Sequence, residues 1–281
     1  MGDSRAPFYA VVVSSLANVA LDLWFVAGLG WQVAGAAAAT VLSQGAMALF
    51  ILVYAHRRYP LLRLSLKEPL FRREDFAQGL RFGLPPALQF SVTAGGNIAL
   101  QNFMNGFGSH TVAAITTAYR VDTIMLLPII NLGSAISTMV AQSKGAGEPQ
   151  RARHFWRTGA VMNLVVSLLL MAVMLLFGGK LVALFGVEAE AAAIGRRFFQ
   201  RISLFYVFFG LACSMRGTIE GTGRVVYSSA VSITALLLRI ALSYLLAGAF
   251  LNMAIAYAEG LHWIFMVLCF LPFFLRKDRW I

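Results

Sequence analysis

The sequence predicts an all-α protein, a polytopic bundle of about eight transmembrane helices, and three observations support this prediction. Hydrophobic residues make up 59% of the chain and charged residues only 12%, whereas a soluble domain is about one quarter charged. Apolar runs of about 20 residues, the length that crosses the hydrocarbon core of a bilayer, recur along the chain. Lys and Arg, 23 in number against 12 Asp and Glu, lie mainly in every second connection between these runs.

The spans are separated by charged residues, Gly or Pro. In chain order they are Phe8–Leu29, Gln32–Ala55, Pro85–Asn105, Val112–Val140, Thr158–Phe177, Phe198–Met215, Val225–Ala249 and Asn252–Leu275.

The loop charges predict the orientation. With a cytoplasmic amino terminus, the inner loops contain most of the basic residues, and the outer loops contain only Lys180, Arg196, Arg197 and Arg201. The positive-inside rule therefore predicts a multi-pass protein of the inner cell membrane with both termini in the cytoplasm. It also explains the basic composition without a nucleic-acid partner.

A weak internal repeat predicts the domain organisation. The small-residue stretch Ala34–Thr40 resembles Asn252–Ala258, and each follows a short turn. We expect the last two helices of an amino-terminal lobe in residues 1–55, a cytoplasmic inter-lobe linker in 56–82 and a six-helix carboxyl-terminal lobe in 83–281. The middle of the linker, Leu61–Phe76, fits either an amphipathic surface helix or a solvated loop.

Asp22 is the first ionisable residue inside a span, where a charge costs several kcal/mol. Asn18 lies on the same helix face, and the turn brings Thr40 to a similar depth. A buried carboxylate can alternate between a protonated and a cation-bound form. We expect Asp22, supported by Asn18 and Thr40, to bind H⁺ or Na⁺; the alternative is hydrogen bonding within the bundle.

A polar stripe occupies one face of the third span, with a polar residue at every fourth position from Gln89 through Thr93, Asn97 and Gln101 to Asn105. It predicts either the wall of a water-filled cavity or contacts with neighbouring helices.

Three charged residues occupy the fourth and seventh spans. Arg120 and Asp122 are two positions apart and face different sides of their helix. Asp122 and Arg239 lie at a similar depth, so the two can pair, either as a structural clamp or as part of gating.

The remaining sequence features argue against an enzymatic function. Cys213 and Cys269 lie in separate apolar runs without metal-ligand spacing, and no nucleophile with a base and an orienting partner can be assembled. We expect no catalytic residue, no cofactor and no metal beyond Na⁺ at Asp22.

The fourth span and the loop after it resemble the multidrug and toxic compound extrusion (MATE) family. The matching residues are Ala118–Asp122 with Pro128, Ala135, Ala141–Gly147 with Arg151 and Ala152, Gly83–Pro85, and Arg216–Gly217 with Gly221–Gly223. The resemblance extends from the fifth family helix to the twelfth and implies an amino-terminally truncated chain.

The spacing of Asn18, Asp22 and Thr40 resembles the cation site of the DinF-like branch of this family. The Na⁺-coupled branch has a Glu about ten residues after Gly83, where this chain has Thr93. The resemblance therefore implies a monomeric, DinF-like exporter of organic, in particular cationic or amphiphilic, compounds among membrane lipids, driven by H⁺ or Na⁺ antiport. Alternatives are a lipid-linked oligosaccharide or polysaccharide flippase of the same superfamily, which would need cavity cations beyond Arg120 and Arg239, and a non-transporting truncated membrane protein.

Overall fold

The computed structural model describes residues 3, 5–60 and 72–275, and within these ranges the chain is helical without strands. The all-α prediction is therefore confirmed. The chain divides into two compact units, Met1–Arg72 and Arg73–Ile281, which are treated separately below.

The first unit is a helical hairpin. Helix α1 (Arg5–Asp22) continues as a π-helical segment, Leu23–Gly28, and α2 is Gln32–Arg58. Gly30, in the turn, has a φ of 70°, which glycine adopts without steric cost.

Hydrogen bonds join the two arms of the hairpin at two places. Ser14 Oγ donates to the main-chain carbonyl of Ser43 at 2.9 Å. The hydroxyls of Tyr54 and Tyr59 donate to Asp3 Oδ2 at 2.8 and 2.9 Å. These two bonds lower the pKa of the Asp3 carboxyl because they favour its charged form.

The second unit contains the remaining helices. They are α3 (Arg73–Asn105), α4 (Ser109–Gly145), α5 (Pro149–Ala183), α6 (Ala189–Ile202), α7 (Tyr206–Gly221), α8 (Val225–Leu245), the short α9 (Ala247–Phe250) and α10 (Ala254–Leu275). A 3-10 turn, Ser203–Phe205, joins α6 to α7.

Seven of the described helical segments are long and apolar enough to cross a membrane. Helix α3 is not one of them, although it has 33 residues, because its polar stripe and charged first turns reduce its hydropathy. It begins at Arg73, within the predicted linker, and continues through Pro85 and Pro86. The hydropathy pattern marks only the apolar part of the helix, whereas residues such as Arg, Glu, Ala and Leu are good helix formers that extend it beyond that part.

The predicted linker 56–82 is shortened at both ends, because α2 continues to Arg58 and α3 begins at Arg73. Residues 61–71, which contain most of the stretch Leu61–Phe76 for which either a surface helix or a solvated loop is predicted, lie outside the described residues. The division into lobes stays a prediction.

The sixth span also begins earlier than predicted. Arg196, Arg197 and Arg201, assigned above to an outer loop, lie in helix α6. This helix buries Ile194, Phe198 and other apolar residues on one face while Arg196 and Arg197 are exposed. An amphipathic helix of this kind lacks the continuous apolar run that identifies a span from hydropathy.

Helix α4 packs mainly against α5 and α7. The main chains of α4 and α7 approach closely at Gly217, where an added Cβ would lie 2.1 Å from the carbonyl oxygen of Gly133. Small residues allow such close contacts between membrane helices. The contact places the polar faces of both helices around one cavity.

Candidate functional site

The second unit contains an open cavity of about 840 Å³, lined by residues of α3, α4, α7, α8 and α10. All seven residues predicted for a cavity or gate contribute to its wall: Gln89, Thr93, Asn97, Gln101, Arg120, Asp122 and Arg239. The structure thus brings together residues that are 150 positions apart in the numbering from Gln89 to Arg239. Their functional roles stay predictions.

The stripe of α3 supplies the uncharged polar part of the wall. Gln89 is buried and accepts a hydrogen bond from Arg216 Nη2 at 3.3 Å. The Thr93 hydroxyl donates to the main-chain carbonyl of Gln89 at 2.8 Å. Asn97 is exposed in the cavity wall. Asn105, the last member of the stripe, is not among the lining residues.

Arg239 pairs with Glu259 of α10, and the predicted pair with Asp122 is wrong as a direct contact. The guanidinium binds Glu259 Oε2, and its Nη2 donates to the hydroxyl of Tyr119 at 2.9 Å. Both charged residues are more than nine-tenths buried. Helical depth places Asp122 and Arg239 at the same level, but it does not decide which carboxylate the guanidinium faces across the bundle.

Asp122 instead accepts a hydrogen bond from the Tyr206 hydroxyl at the start of α7. The Asp122 side chain is only 5% exposed. Arg120 lies on another face of α4 and is exposed. No described carboxylate forms an ion pair with it.

A second charged pair, Arg216 and Glu220 on α7, lies in the same wall. Arg216 Nε is 2.7 Å from Glu220 Oε1, and the Ser228 hydroxyl donates to that same oxygen at 2.5 Å. This half-buried pair connects α3, α7 and α8 through its hydrogen bonds to Gln89 and Ser228.

The sequence analysis misses Glu259, Arg216 and Glu220. For Glu259 the signal is available: it is the single carboxylate in the last span, and an ionisable residue within a span needs a partner or a function. Arg216 and Glu220 follow the predicted span Phe198–Met215 and are therefore not considered as residues within a span, whereas α7 continues to Gly221.

The candidate ion site in the first unit is less complete. Asn18 Nδ2 and Asp22 Oδ1 are both buried without a hydrogen-bond partner, and Asp22 immediately precedes the π-helical segment. Such segments frequently occur at functional sites. Thr40 is exposed, and its hydroxyl donates to the carbonyl of Ala36 at 2.9 Å; the oxygen keeps lone pairs that can bind a cation. Within the described ranges, no cluster of three or more His, Cys, Asp or Glu side chains has the geometry of a metal site.

Comparison with known proteins gives consistent matches. A family model described as MatE matches residues 85–245. The chain is 31% identical to the probable multidrug resistance protein YoeA of Bacillus subtilis over 84% of this chain and 52% of that protein. It is 29% identical to the probable multidrug resistance protein YpnP of the same organism, over 79% of this chain and 50% of the relative.

A solved structure is also similar in fold. The crystal structure of MATE in the bent conformation superimposes with a TM-score of 0.90 at 21% identity and covers 99% of this chain and 63% of that one. The chain spans about half the length of the curated relatives that it matches.

Proposed function

The chain belongs to the MatE family, and on this premise we propose that it exports organic compounds, in particular cationic or amphiphilic ones, by cation-coupled antiport with alternating access. The observation that carries the proposal is the charge-lined cavity within a lobe of apolar helices. Its volume of about 840 Å³ falls within the range of about 300–1,000 Å³ that is typical of pockets for drug-sized ligands. The similar proteins YoeA and YpnP are described as probable multidrug resistance proteins.

The energetic cost of the charged side chains in the cavity wall supports a transport role. Arginine and carboxylate side chains in a span each cost several kcal/mol unless they are paired or solvated. Six of them, Arg120, Asp122, Arg216, Glu220, Arg239 and Glu259, line this cavity. An apolar helix bundle needs none of them for packing, so their presence favours a polar pathway.

We assign coupling to Asp22, supported by Asn18 and Thr40. The Oδ1 atom of the half-buried Asp22 has no hydrogen-bond partner in the described structure, and a buried carboxylate oxygen without a partner can bind a coupling ion. The coupling ion, H⁺ or Na⁺, is transported cargo, and the protein uses no further cofactor.

The test is efflux of a fluorescent organic cation from cells that express the reading frame encoding this chain. Asp22→Asn removes the charge but keeps the shape, and we expect gradient-driven efflux to fall at least about tenfold, since coupling is lost. Asp75→Asn, an exposed position in the first turn of α3, is the control and retains efflux. Collapsing the proton gradient and the Na⁺ gradient separately identifies the ion. Unchanged coupled efflux in Asp22→Asn would overturn the assignment.

We further propose that the protein is a monomer in the inner membrane with both termini in the cytoplasm. The distribution of basic residues supports this orientation. Reporter fusions at the carboxyl terminus and after Lys180 test it: the terminal fusion is expected to report cytoplasm and the Lys180 fusion the outside. Light scattering of the purified protein measures the oligomeric state.

A flippase is the second candidate, because the cavity contains a third arginine, Arg216, in addition to Arg120 and Arg239. Arg216 and Arg239 are already engaged by carboxylates. A pyrophosphate would therefore meet one uncompensated cation rather than a cluster, which favours the exporter.

A further inference from the structure

A basic surface lies outside the cavity, where α5 packs against α6. We call it the α5–α6 basic surface, and it consists of Lys180 on α5 and of Arg196, Arg197 and Arg201 on α6. None of the four lines the cavity. They are also the basic residues that the sequence analysis places on the outer side of the membrane, where basic residues are normally depleted. Their concentration on one surface therefore needs a reason of its own.

The contact between the two helices holds cations of both at one level. A Cβ added at Gly179 would lie 2.9 Å from Cβ of Arg196, so the aliphatic stem of Arg196 rests on α5 beside the exposed Lys180. Lys180 Nζ in turn lies 5.8 Å from the ring centroid of Phe177. Long basic side chains often cover apolar surface in this way while the charged end stays in a polar environment.

No carboxylate in the described ranges forms an ion pair with the α5–α6 basic surface. The acidic residues at the start of α6, Glu188 and Glu190, instead face His110, at 3.3 and 3.9 Å from its ring nitrogens. Arg197 and Arg201 are four positions apart, a spacing at which like charges destabilise a helix. Arg201 Nη1 donates only to the main-chain carbonyl of Arg197, at 2.8 Å. A surface that keeps cations together at a cost is complementary to an anion.

Exposed apolar residues border the basic surface on both helices. They precede Lys180 on α5 and follow Arg201 into α7: Val173, Leu176, Phe177, Leu204, Phe208 and Leu211. The two helices are antiparallel, since Gly179 meets Arg196 and the later Val182 meets the earlier Gly195. Both apolar series therefore extend from the cations in the same direction, into the membrane. This order of charged and apolar surface matches the headgroup and the acyl chains of a phospholipid.

We propose that the α5–α6 basic surface binds an anionic phospholipid. Its phosphate lies between Lys180 and the arginines of α6, and its acyl chains lie along the adjoining apolar residues. Arginine binds phosphate through two parallel hydrogen bonds, and lysine binds it as a point charge. Each basic residue near an anionic lipid strengthens binding about fivefold. A soluble phosphate compound would leave the apolar border uncovered, which favours the lipid. With the orientation proposed above, the lipid belongs to the outer leaflet.

The test is photolabelling of the purified full chain in nanodiscs of phosphatidylcholine. Two trace lipids carry the same diazirine acyl chain, one with the anionic phosphatidylglycerol headgroup and the other with the zwitterionic phosphatidylcholine headgroup. Mass spectrometry measures the label on residues 173–211 and, as an internal reference, on residues 245–251. Because consecutive spans alternate in direction, the reference segment lies at the same end of the bundle, and it contains no basic residue.

We expect residues 173–211 of the parent protein to receive at least about tenfold more label from phosphatidylglycerol than from phosphatidylcholine. On the reference segment the two lipids are expected to label within about twofold of each other, since no cation there selects between the headgroups. An excess of glycerol 3-phosphate, which has the phosphate without acyl chains, should leave the labelling unchanged.

Two triple variants locate the preference. The first combines Lys180→Gln, Arg196→Gln and Arg197→Gln, and its labelling by the two lipids is expected to differ by less than about twofold. The second is the control, which removes the same charge at exposed positions near the other ends of α3 and α5 and keeps the preference. It combines Arg73→Gln, Arg81→Gln and Arg157→Gln.

Four outcomes overturn the proposal. They are equal labelling of residues 173–211 by both lipids in the parent protein, a preference that survives in the first variant, an equal loss in the control variant, and displacement of the label by glycerol 3-phosphate. The comparison of the two lipids in the parent protein does not depend on how well any variant folds. Because neither a gradient nor a transported compound takes part, these outcomes leave the export proposal to its own test.

Discussion

Glu259→Gln is expected to destabilise the second unit strongly, because Glu259 holds the buried guanidinium of Arg239. The two residues are 7% and 9% exposed, and the guanidinium also donates a hydrogen bond to the neutral Tyr119 hydroxyl, at 2.9 Å. Arg239 Nε is already buried without a partner. Removal of one member of a buried ion pair costs about 3–5 kcal/mol, since the other charge is left uncompensated.

The glutamine amide oxygen can still accept one hydrogen bond, so we expect the lower end of this range, a loss of about 3 kcal/mol in the free energy of unfolding. The double variant Glu259→Gln with Arg239→Met removes both charges and is expected to recover about 2 kcal/mol of that loss. Glu190→Gln, at a side chain that is 70% exposed, is the control and should change stability by less than about 0.5 kcal/mol.

The free energy is measured by denaturant titration in mild detergent, followed by tryptophan fluorescence and far-ultraviolet circular dichroism, with linear extrapolation to zero denaturant. A loss below about 1 kcal/mol in Glu259→Gln would refute the uncompensated-charge reasoning. So would a double variant that is less stable than the single one.

Two further predictions concern packing and occupancy. Gly217→Ala should lower the free energy of unfolding by about 1–3 kcal/mol, because the added Cβ would lie 2.1 Å from the carbonyl oxygen of Gly133 and the main chain cannot easily move aside. Gly79→Ala is the control, since an added Cβ there would have no atom within 4 Å. In the same denaturant titration it should be neutral or stabilising. Cys213 lines the cavity whereas Cys269 does not, so bound substrate should slow the reaction of Cys213 with a small methanethiosulfonate reagent and leave the rate at Cys269 unchanged, as measured by mass spectrometry. Equal slowing at both thiols would contradict the assignment of the cavity as the binding site.

The elements of the fold follow from local chemistry and could be predicted from the sequence. Transfer of about 20 apolar residues into lipid identifies a span wherever it lies in the chain, and the family motifs around Arg120 and Pro128 indicate the same fold. Hydropathy misplaces the ends of the helices whose apolar pattern is interrupted. Helix α3 has a polar stripe, and α6 has exposed arginines on one face.

The candidate site is predictable to the extent that it depends on single helices. The stripe from Gln89 to Gln101 follows from the helical period, because residues four positions apart share a face. Because a charge in a span is costly, Asp22, Arg120, Asp122 and Arg239 are each expected to have a partner or a function. Both kinds of reasoning use only the residue and its immediate helix.

Which side chains meet was decided by the tertiary structure alone. Depth along the membrane normal is compatible with pairing Arg239 to Asp122, yet the packing of α8 against α10 directs Arg239 to Glu259, and α7 brings Tyr206 to Asp122. Contact between helices depends on their rotation and lateral order, which interhelical packing determines and a hydropathy pattern does not encode. The sequence by itself thus determined most of the spans and the polar faces, while the packing of the helices decided that Arg120 is left in the cavity without a carboxylate partner among the described residues.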